Sequence, residues 1–237
     1  MQAAVFGSSG GIGSALVRLL IEQGKFSRVW AGSRSGTALI DGAEPFAFDL
    51  LDETSVAAAA GLIGASGPLG LVIVATGLLS DGAAFRPEKS WAMQDADNYA
   101  RAFAINATGP ALIGKHMLPL LDRNQRSAFA ALSARVGSIS DNRLGGWHAY
   151  RASKAALNMI VRNFALELAS KRPGAIAVAL HPGTVATALS RPFVGAADNR
   201  TVFSPQDAAG HLLKVIGGLV PADSGCCLAW DGAKIPF

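Results

Sequence analysis

The sequence is poor in charge, in cysteine and in long unbroken apolar runs. Only 16% of its 237 residues are Asp, Glu, Lys or Arg, and half are hydrophobic. That balance excludes a disordered chain and supplies a sizeable core. The only cysteines, Cys226 and Cys227, are adjacent. Neighbours on a strand point to opposite faces, so they do not bridge each other. Two cysteines also give neither a disulfide framework nor a zinc site, and no metal is expected. No apolar run reaches the ~18 residues of a membrane span. A glycine loop beginning at Gly7 leaves no room for the charged and apolar segments of a secretory signal. The expectation is a cytoplasmic protein with no membrane partner. The formal net charge is +4, but Lys and Arg are scattered and form no basic stripe. Nucleic-acid binding is therefore not expected, whereas attraction of an anionic cofactor is compatible with the charge.

Short apolar runs alternate with longer helical patterns along the whole chain. Strands are expected over Ala3–Phe6, Arg28–Ala31, Phe46–Phe48, Leu69–Ala75, Ala128–Ser133, Ala175–His181 and Cys226–Trp230. Helices are expected over Ser14–Gly24, Thr54–Ile63, His148–Ser170 and Pro205–Gly217, with a long helical region from about Trp91 to Leu121 broken near Gly109-Pro110. Leu69–Ala75 is apolar throughout, as a strand covered on both faces must be. This alternation predicts an α/β fold: one doubly wound parallel sheet of about seven strands, with helices on both faces, in a single Rossmann domain over residues 1–237. The stretch from Gly183 to Ser204 lacks periodicity; a lid around residues 184–204 and a plain surface loop both fit it.

The first strand runs into Gly7-Ser8-Ser9-Gly10-Gly11-Ile12-Gly13 and then a helix. Glycines there allow a tight turn and close approach of backbone to a pyrophosphate, which faces the first N–H groups of the helix. An acidic residue ~20 positions further on would bind the ribose 2′-hydroxyl of NAD. Gly32-Ser33-Arg34 stands in that place. A guanidinium can pair with a 2′-phosphate where a carboxylate would repel it, so NADP(H) is preferred over NAD(H).

Tyr150-Arg151-Ala152-Ser153-Lys154 opens the helix after the fifth strand. Tyr150 and Lys154, at i and i+4, share one helix face. An ammonium ~4 Å from a phenol, at an effective dielectric near 20, favours phenolate by about 4 kcal/mol. Such a phenol can give a proton to a carbonyl oxygen or take one from an alcohol.

With these two motifs in place, the sequence resembles the short-chain dehydrogenase/reductase superfamily over nearly its whole length. The stretch SARVGSISDNRLGGWHAYRASKAALN is most similar to the C-factor and sniffer-like carbonyl reductase branch. The resemblance implies an NADP-type Rossmann enzyme acting on carbonyl compounds. It places the acid–base tyrosine on Tyr150, its lysine, which also holds the nicotinamide ribose, on Lys154, and the structural and proton-relay asparagine on Asn106. It implies a cofactor set of Gly7, Ser9, Gly11, Ile12 and Gly13 in the loop; Arg34, Asp49 and Leu50 near the adenosine; Ala75 and Gly77 after the fourth strand; and Lys154, Pro182, Gly183, Val185 and Thr187 near the nicotinamide. Two departures stand out. The family's Asn-Asn-Ala-Gly is here Val74-Ala75-Thr76-Gly77. Its substrate-binding serine falls on Ala134, which leaves Ser133 as the nominal homologue and Ser138 as a near-equal substitute. On a regular strand Ser133 would face away, unless a bulge turns it inward.

The candidate substrate pocket, Leu78, Leu144, Trp147, His148 and residues 189–194, is apolar and aromatic, which suits a hydrophobic carbonyl or alcohol. His181 is expected to be structural. Family members assemble through their long helices, so the resemblance also implies a homodimer or homotetramer. The missing serine leaves a rival open: a nucleotide-binding sensor or signalling protein of the same fold with weak or no catalysis. The Arg34 reading predicts a higher kcat/KM with NADPH than with NADH; a preference for NADH overturns it.

Overall fold

The computed structural model describes residues 1–81, 85–193 and 201–237. Seven parallel strands form the body of one sheet: β1 (Gln2–Phe6), β2 (Val29–Ser33), β3 (Glu44–Ala47), β4 (Leu69–Val74), β5 (Ser127–Leu132), β6 (Ala175–His181) and, after two short strands noted below, β9 (Cys227–Ala229). The antiparallel pair Lys234–Ile235 (β10) adds an eighth strand at the β9 edge, giving the order β10-β9-β6-β5-β4-β1-β2-β3. The expected count of about seven omitted β10, whose two residues carry no periodic signal. A separate ribbon pairs β7 (Thr184–Val185) with β8 (Val202–Phe203). It lies within the stretch expected as a lid; residues 194–200 of that stretch fall outside the described residues.

The central strands are buried at every position, because helices cover both faces. On one face Ala3, Val5, Ile176, Val178 and Leu180 pack with Leu16 and Leu20 of α1 (Gly11–Gln23) and with Leu212 and Ile216 of α6 (Pro205–Gly218). On the other, Ala131, Ala177 and Ala179 meet Leu157, Val161 and Ala165 of α5 (His148–Lys171). Beside them sit Val56 and Ile63 of α2 (Glu53–Gly64) and Ile113 and Met117 of α4 (Gly109–Met117). Alanines on the α5 side let that helix lie close to β5 and β6, where its buried residues become part of the sheet's own core.

The helical region before β5 breaks one turn earlier than expected. α3 (Ala96–Phe103) passes into a π-turn at Ala104–Thr108, where the Gly109 N–H reaches back to Ala104 O, and α4 follows. Pro110 has no N–H to return to the carbonyl four residues back, that of Asn106, so the disturbance falls on the turn containing Asn106 rather than at the proline itself.

The loop between β1 and α1 has no spare volume. Gly7 has φ +92°, and the Gly7 and Ser8 N–H groups both donate to Gly32 O of β2. A Cβ on Gly13 would sit 2.1 Å from Gly7 O and 3.2 Å from Ser8 Cα. Both are backbone atoms that cannot rotate away. Gly13→Ala is expected to destabilise the fold by about 1–3 kcal/mol in urea unfolding; an unchanged midpoint would show that the loop can open.

Candidate active site

Four side chains meet where the π-turn faces the start of α5. Asn106, fully buried, accepts from the Leu78 N–H through Oδ1 at 2.8 Å and donates through Nδ2 to Leu78 O at 2.8 Å and to Ser153 Oγ at 3.1 Å. Ser153 Oγ donates to Tyr150 O at 2.8 Å. Asn106 therefore ties the segment after β4 to the helix carrying Tyr150. Lys154, 3% exposed, donates from Nζ to Leu132 O at the end of β5 at 2.7 Å and lies 5.9 Å from the centre of the Tyr150 ring. Gly77 leaves this corner open: a Cβ there would lie 3.6 Å from Asn106 Oδ1 and 3.7 Å from Lys154 Nζ. Gly137 permits close contact at the base of the same side chain, since a Cβ would meet Lys154 Cβ at 2.8 Å.

Burial sets the electrostatics. It lowers the Lys154 ammonium to about 8 and raises the Tyr150 phenol well above its ordinary value. Lys154 was expected to draw that phenol toward neutrality. Instead desolvation by burial governs it, while the ammonium hydrogen-bonds Leu132 O. Cys227 is free and buried, its thiol pushed up to about 12 by burial. Cys226 is also free, as the adjacent positions required.

Tyr150 borders a cavity of about 500 Å³ that extends to Ile12 of the glycine loop. Its walls include Leu79, Ala134, Trp147, Leu189, Phe193 and Trp230. The Trp147 ring stands 6.2 Å from that of Tyr150 and 5.3 Å from that of Phe193, both edge-on. Of the residues expected to line the pocket, Trp147 and, from the 189–194 segment, Leu189, Ser190 and Phe193 do so; residue 194 lies outside the described residues. Leu78 gives way to Leu79, because the Leu78 backbone is clamped by Asn106, while Leu144 is exposed and neither it nor His148 is on the wall. His181, expected to be structural, lies on the wall with Nδ1 buried and unpartnered among the described residues; burial lowers it to about 4, so it is neutral. Ser133 lines the cavity with its hydroxyl donating to Asn158 Oδ1 at 2.7 Å. Ser138 is not on the wall; it is buried, and its Oγ accepts from the Asp141 N–H.

The residues present fit a dinucleotide. α1 has no side-chain cap and no acidic residue in its first turn, so its leading amides meet no competing carboxylate. Ser9 and Gly11 are exposed there, and Ile12 and Thr187 both line the cavity. A Cβ on Gly11 would come within 3.0 Å of Thr187 Cγ2. Among the described residues Thr76 Oγ1 is buried without a partner, and the Thr76 methyl lies beside Gly7. Arg34 is exposed just past β2. Asp49 is also exposed and accepts from the Leu51 N–H, while Leu50 packs over Gly109. Ala75 continues from β4 by donating to Phe6 O, and Pro182, Gly183 (φ +78°) and Val185 follow β6 along the cavity. Ser153, Thr76 and His181 were missed as site residues. Ser153 lay in plain view between Tyr150 and Lys154; the other two give no spacing signal.

A sequence model of the short chain dehydrogenase family matches residues 2–196. The chain belongs to this family. It is 40% identical over 149 residues to C-signal of Myxococcus xanthus, covering 62% of this chain and 84% of that protein. It is 37% identical over 143 residues to the 1-hydroxy-2-glutathionyl-2-methyl-3-butene dehydrogenase of a Rhodococcus species, covering 60% of each. The NADPH-bound carbonyl reductase from chicken fatty liver superposes with a TM-score of 0.85 at 25% identity, over 100% of this chain and 98% of that one. The carbonyl reductase Sniffer of D. melanogaster, at 20% identity and a TM-score of 0.85, shares the fold. No helix among the described residues is long and apolar enough to cross a membrane, and they hold no cluster of metal-ligating side chains.

Lys154 generates a stability prediction. In the unfolded chain its amine keeps its proton to about 10.5, in the folded protein to about 8. Between those values the unfolded state binds more protons, so stability rises with pH. The phenol of Tyr150 opposes this only above its ordinary value of 10.0. Holding the charge at neutral pH costs about 3 kcal/mol. Lys154→Met is therefore expected to match or exceed the parent's stability at pH 7 in chemical denaturation, and to lose the rise between pH 8 and 10. A parent whose stability is flat over that range would overturn the assignment.

Proposed function

We propose that this protein is an NADPH-dependent carbonyl reductase that delivers a proton from Tyr150. The observation that carries the reading is that Tyr150 lies on the wall of a cavity running to the glycine loop, with Lys154, Ser153 and Asn106 buried behind it. Bound NADPH would supply the hydride, with Ser9, Gly11 and Gly13 at the phosphates, Arg34 at the 2′-phosphate, and Lys154, Val185 and Thr187 at the nicotinamide end. The Tyr150 hydroxyl gives its proton to the carbonyl oxygen, and the product is the alcohol. The phenol, whose pKa burial raises further, carries its proton at neutral pH, as the proposed reduction requires. Lys154 provides positive charge to the phenolate left behind. Asn106 and Ser153 hold the helix and the segment after β4 in register.

Ala134 removes one hydroxyl from the cavity wall, and Ser133 is the remaining serine of the pair there, held by Asn158. The substrate is a hydrophobic carbonyl compound, given the aromatic wall of Trp147, Phe193 and Trp230. We also place the protein in the cytoplasm as a homodimer or homotetramer. A second reading, a cofactor-binding signalling protein with little turnover, is favoured by Ala134 and by the likeness to C-signal.

NADPH oxidation against a panel of aldehydes, ketones and quinones tests the proposal. Tyr150→Phe should lower kcat by about 10²–10⁴-fold with NADPH still bound. Ser133→Ala should lower kcat by less, and Ser138→Ala leave it unchanged. Cofactor binding without turnover of any carbonyl would select the signalling reading.

A further inference from the structure

Glu88 is 1% exposed, yet among the described residues no lysine or arginine pairs with it. Its carboxylate is spent on two other groups. Oε2 accepts from the backbone N–H of Ala149, 61 residues away in the first turn of α5, at 3.2 Å. Oε1 accepts from Asn98 Nδ2, in the first turn of α3, at 3.3 Å. Its backbone carbonyl accepts from the Trp147 N–H. α5 has no cap from its own sequence: Trp147, the residue before the helix, makes no side-chain capping bond. The free amide of Ala149 is satisfied by Glu88 instead, and the carboxylate sits at the end of the helix where negative charge is favoured.

The backbone entering α5 needs that hold. Gly145, Gly146 and Trp147 all have positive φ, at 63°, 65° and 51°. Trp147 is the one non-glycine among the described residues in this region, a conformation that L side chains with bulk avoid. It is over-determined from several sides. Glu88 O holds its N–H, its own carbonyl accepts from the Arg151 N–H, and Arg151 Nε donates to Gly146 O at 2.9 Å. The small core of Phe85, Ala102 and Ala149 then packs the segment before Glu88 onto both helices. The product of this strain is the indole of Trp147 standing against Tyr150 and Phe193 on the cavity wall.

We propose that Glu88 is a positioning residue for the reaction: its buried carboxylate keys the start of α3 to the start of α5, fixing Trp147 and Tyr150 relative to the π-turn that carries Asn106. The inference rests on the proposed reductase function for its kinetic consequences and on geometry alone for its structural ones. Glu88 touches neither the cavity nor the phenol; it acts through Ala149, Trp147 and Asn98.

The pairing permits a swap. Glu88→Gln keeps an oxygen for the Ala149 N–H but turns an amide donor toward the Asn98 donor. Adding Asn98→Asp restores an acceptor opposite the new amide. Three measurements are made on the parent, Glu88→Gln, Asn98→Ala and the double variant. They are hydrogen exchange of the Trp147–Arg151 amides, NADPH affinity by fluorescence titration, and kcat and KM for a carbonyl substrate. Glu88→Gln should exchange faster at Ala149 and Tyr150, and its kcat should fall about 10- to 100-fold while NADPH affinity changes by no more than about twofold. Asn98→Ala should show the same pattern more weakly, and the double variant should recover both exchange protection and kcat. If Glu88→Gln does not fold, Asn98→Ala and the double variant still decide. Folded variants with parental exchange and kcat, or a double variant as impaired as the single one, overturn the proposal. If the parent reduces no carbonyl, the functional reading fails on its own, and exchange at Trp147–Arg151 still settles the role of Glu88.

Discussion

A buried ammonium with a carbonyl for its only hydrogen-bond partner among the described residues is the constraint around which the site is built. Lys154 lies on the inner face of α5 and donates to Leu132 O, and among the described residues no carboxylate pairs with it. Holding a charge there requires α5 to lie close against the end of β5. The alanines of β5 and β6 and the bare Gly137 make that approach possible. The close approach in turn places Tyr150, one helical turn back, on the cavity wall and Ser153 within reach of Asn106. Stability is given up for this arrangement. A nonpolar side chain would satisfy the packing better than an ammonium does, so the fold alone gives no reason for the charge, whereas the proposed reaction does: a developing phenolate would be stabilised by it.

Asn106 carries the second half of the geometry. Its amide treats the Leu78 backbone as a strand would, accepting from the N–H and donating to the carbonyl. The third bond, to Ser153, fastens that segment to α5. An α-helix running uninterrupted from α3 to α4 would set its side chains by a regular 3.6-residue turn. The π-turn at Ala104–Thr108 changes that phase locally, and Pro110 stabilises the change by having no N–H for the ordinary ladder. A sequence feature that looks like a helix breaker thus works as a device for aiming a side chain.

The central architecture was legible because both faces of the sheet are covered. Strands such as Leu69–Val74 must then be apolar at every position, and glycines must crowd the strand-to-helix turn at Gly7–Gly13. Tyr150 and Lys154 were legible as a pair because helical spacing alone puts them on one face. What escaped notice depends on tertiary placement. β7, β8 and β10 are two-residue strands with no period to detect. The choice between Leu78 and Leu79 for the cavity wall depends on a side-chain clamp 28 residues away. The direction of the Tyr150 shift was misjudged because spacing gives proximity to Lys154 but says nothing of how dry the phenol is. Glu88 was invisible because a single carboxylate in Pro87-Glu88-Lys89 looks like any solvated charge.

The dryness of Tyr150 bears on the missing serine as well. A second hydroxyl beside a catalytic tyrosine shares the work of polarising a substrate carbonyl. With Ala134 in that place and the Ser133 hydroxyl committed to Asn158, the proposed reaction leans on the phenol for the proton. A phenol whose pKa is raised by burial loses its proton reluctantly, which would slow proton transfer if it acted in a wet site. In a dry one the same burial strengthens each hydrogen bond it makes and increases the effect of the nearby ammonium once negative charge develops. The aromatic wall of Trp147 and Phe193 is therefore more than a specificity surface. Standing edge-on to Tyr150, the Trp147 ring adds to the burial that lowers the local dielectric, and in the proposed reaction it is there that one donor and one cation would act.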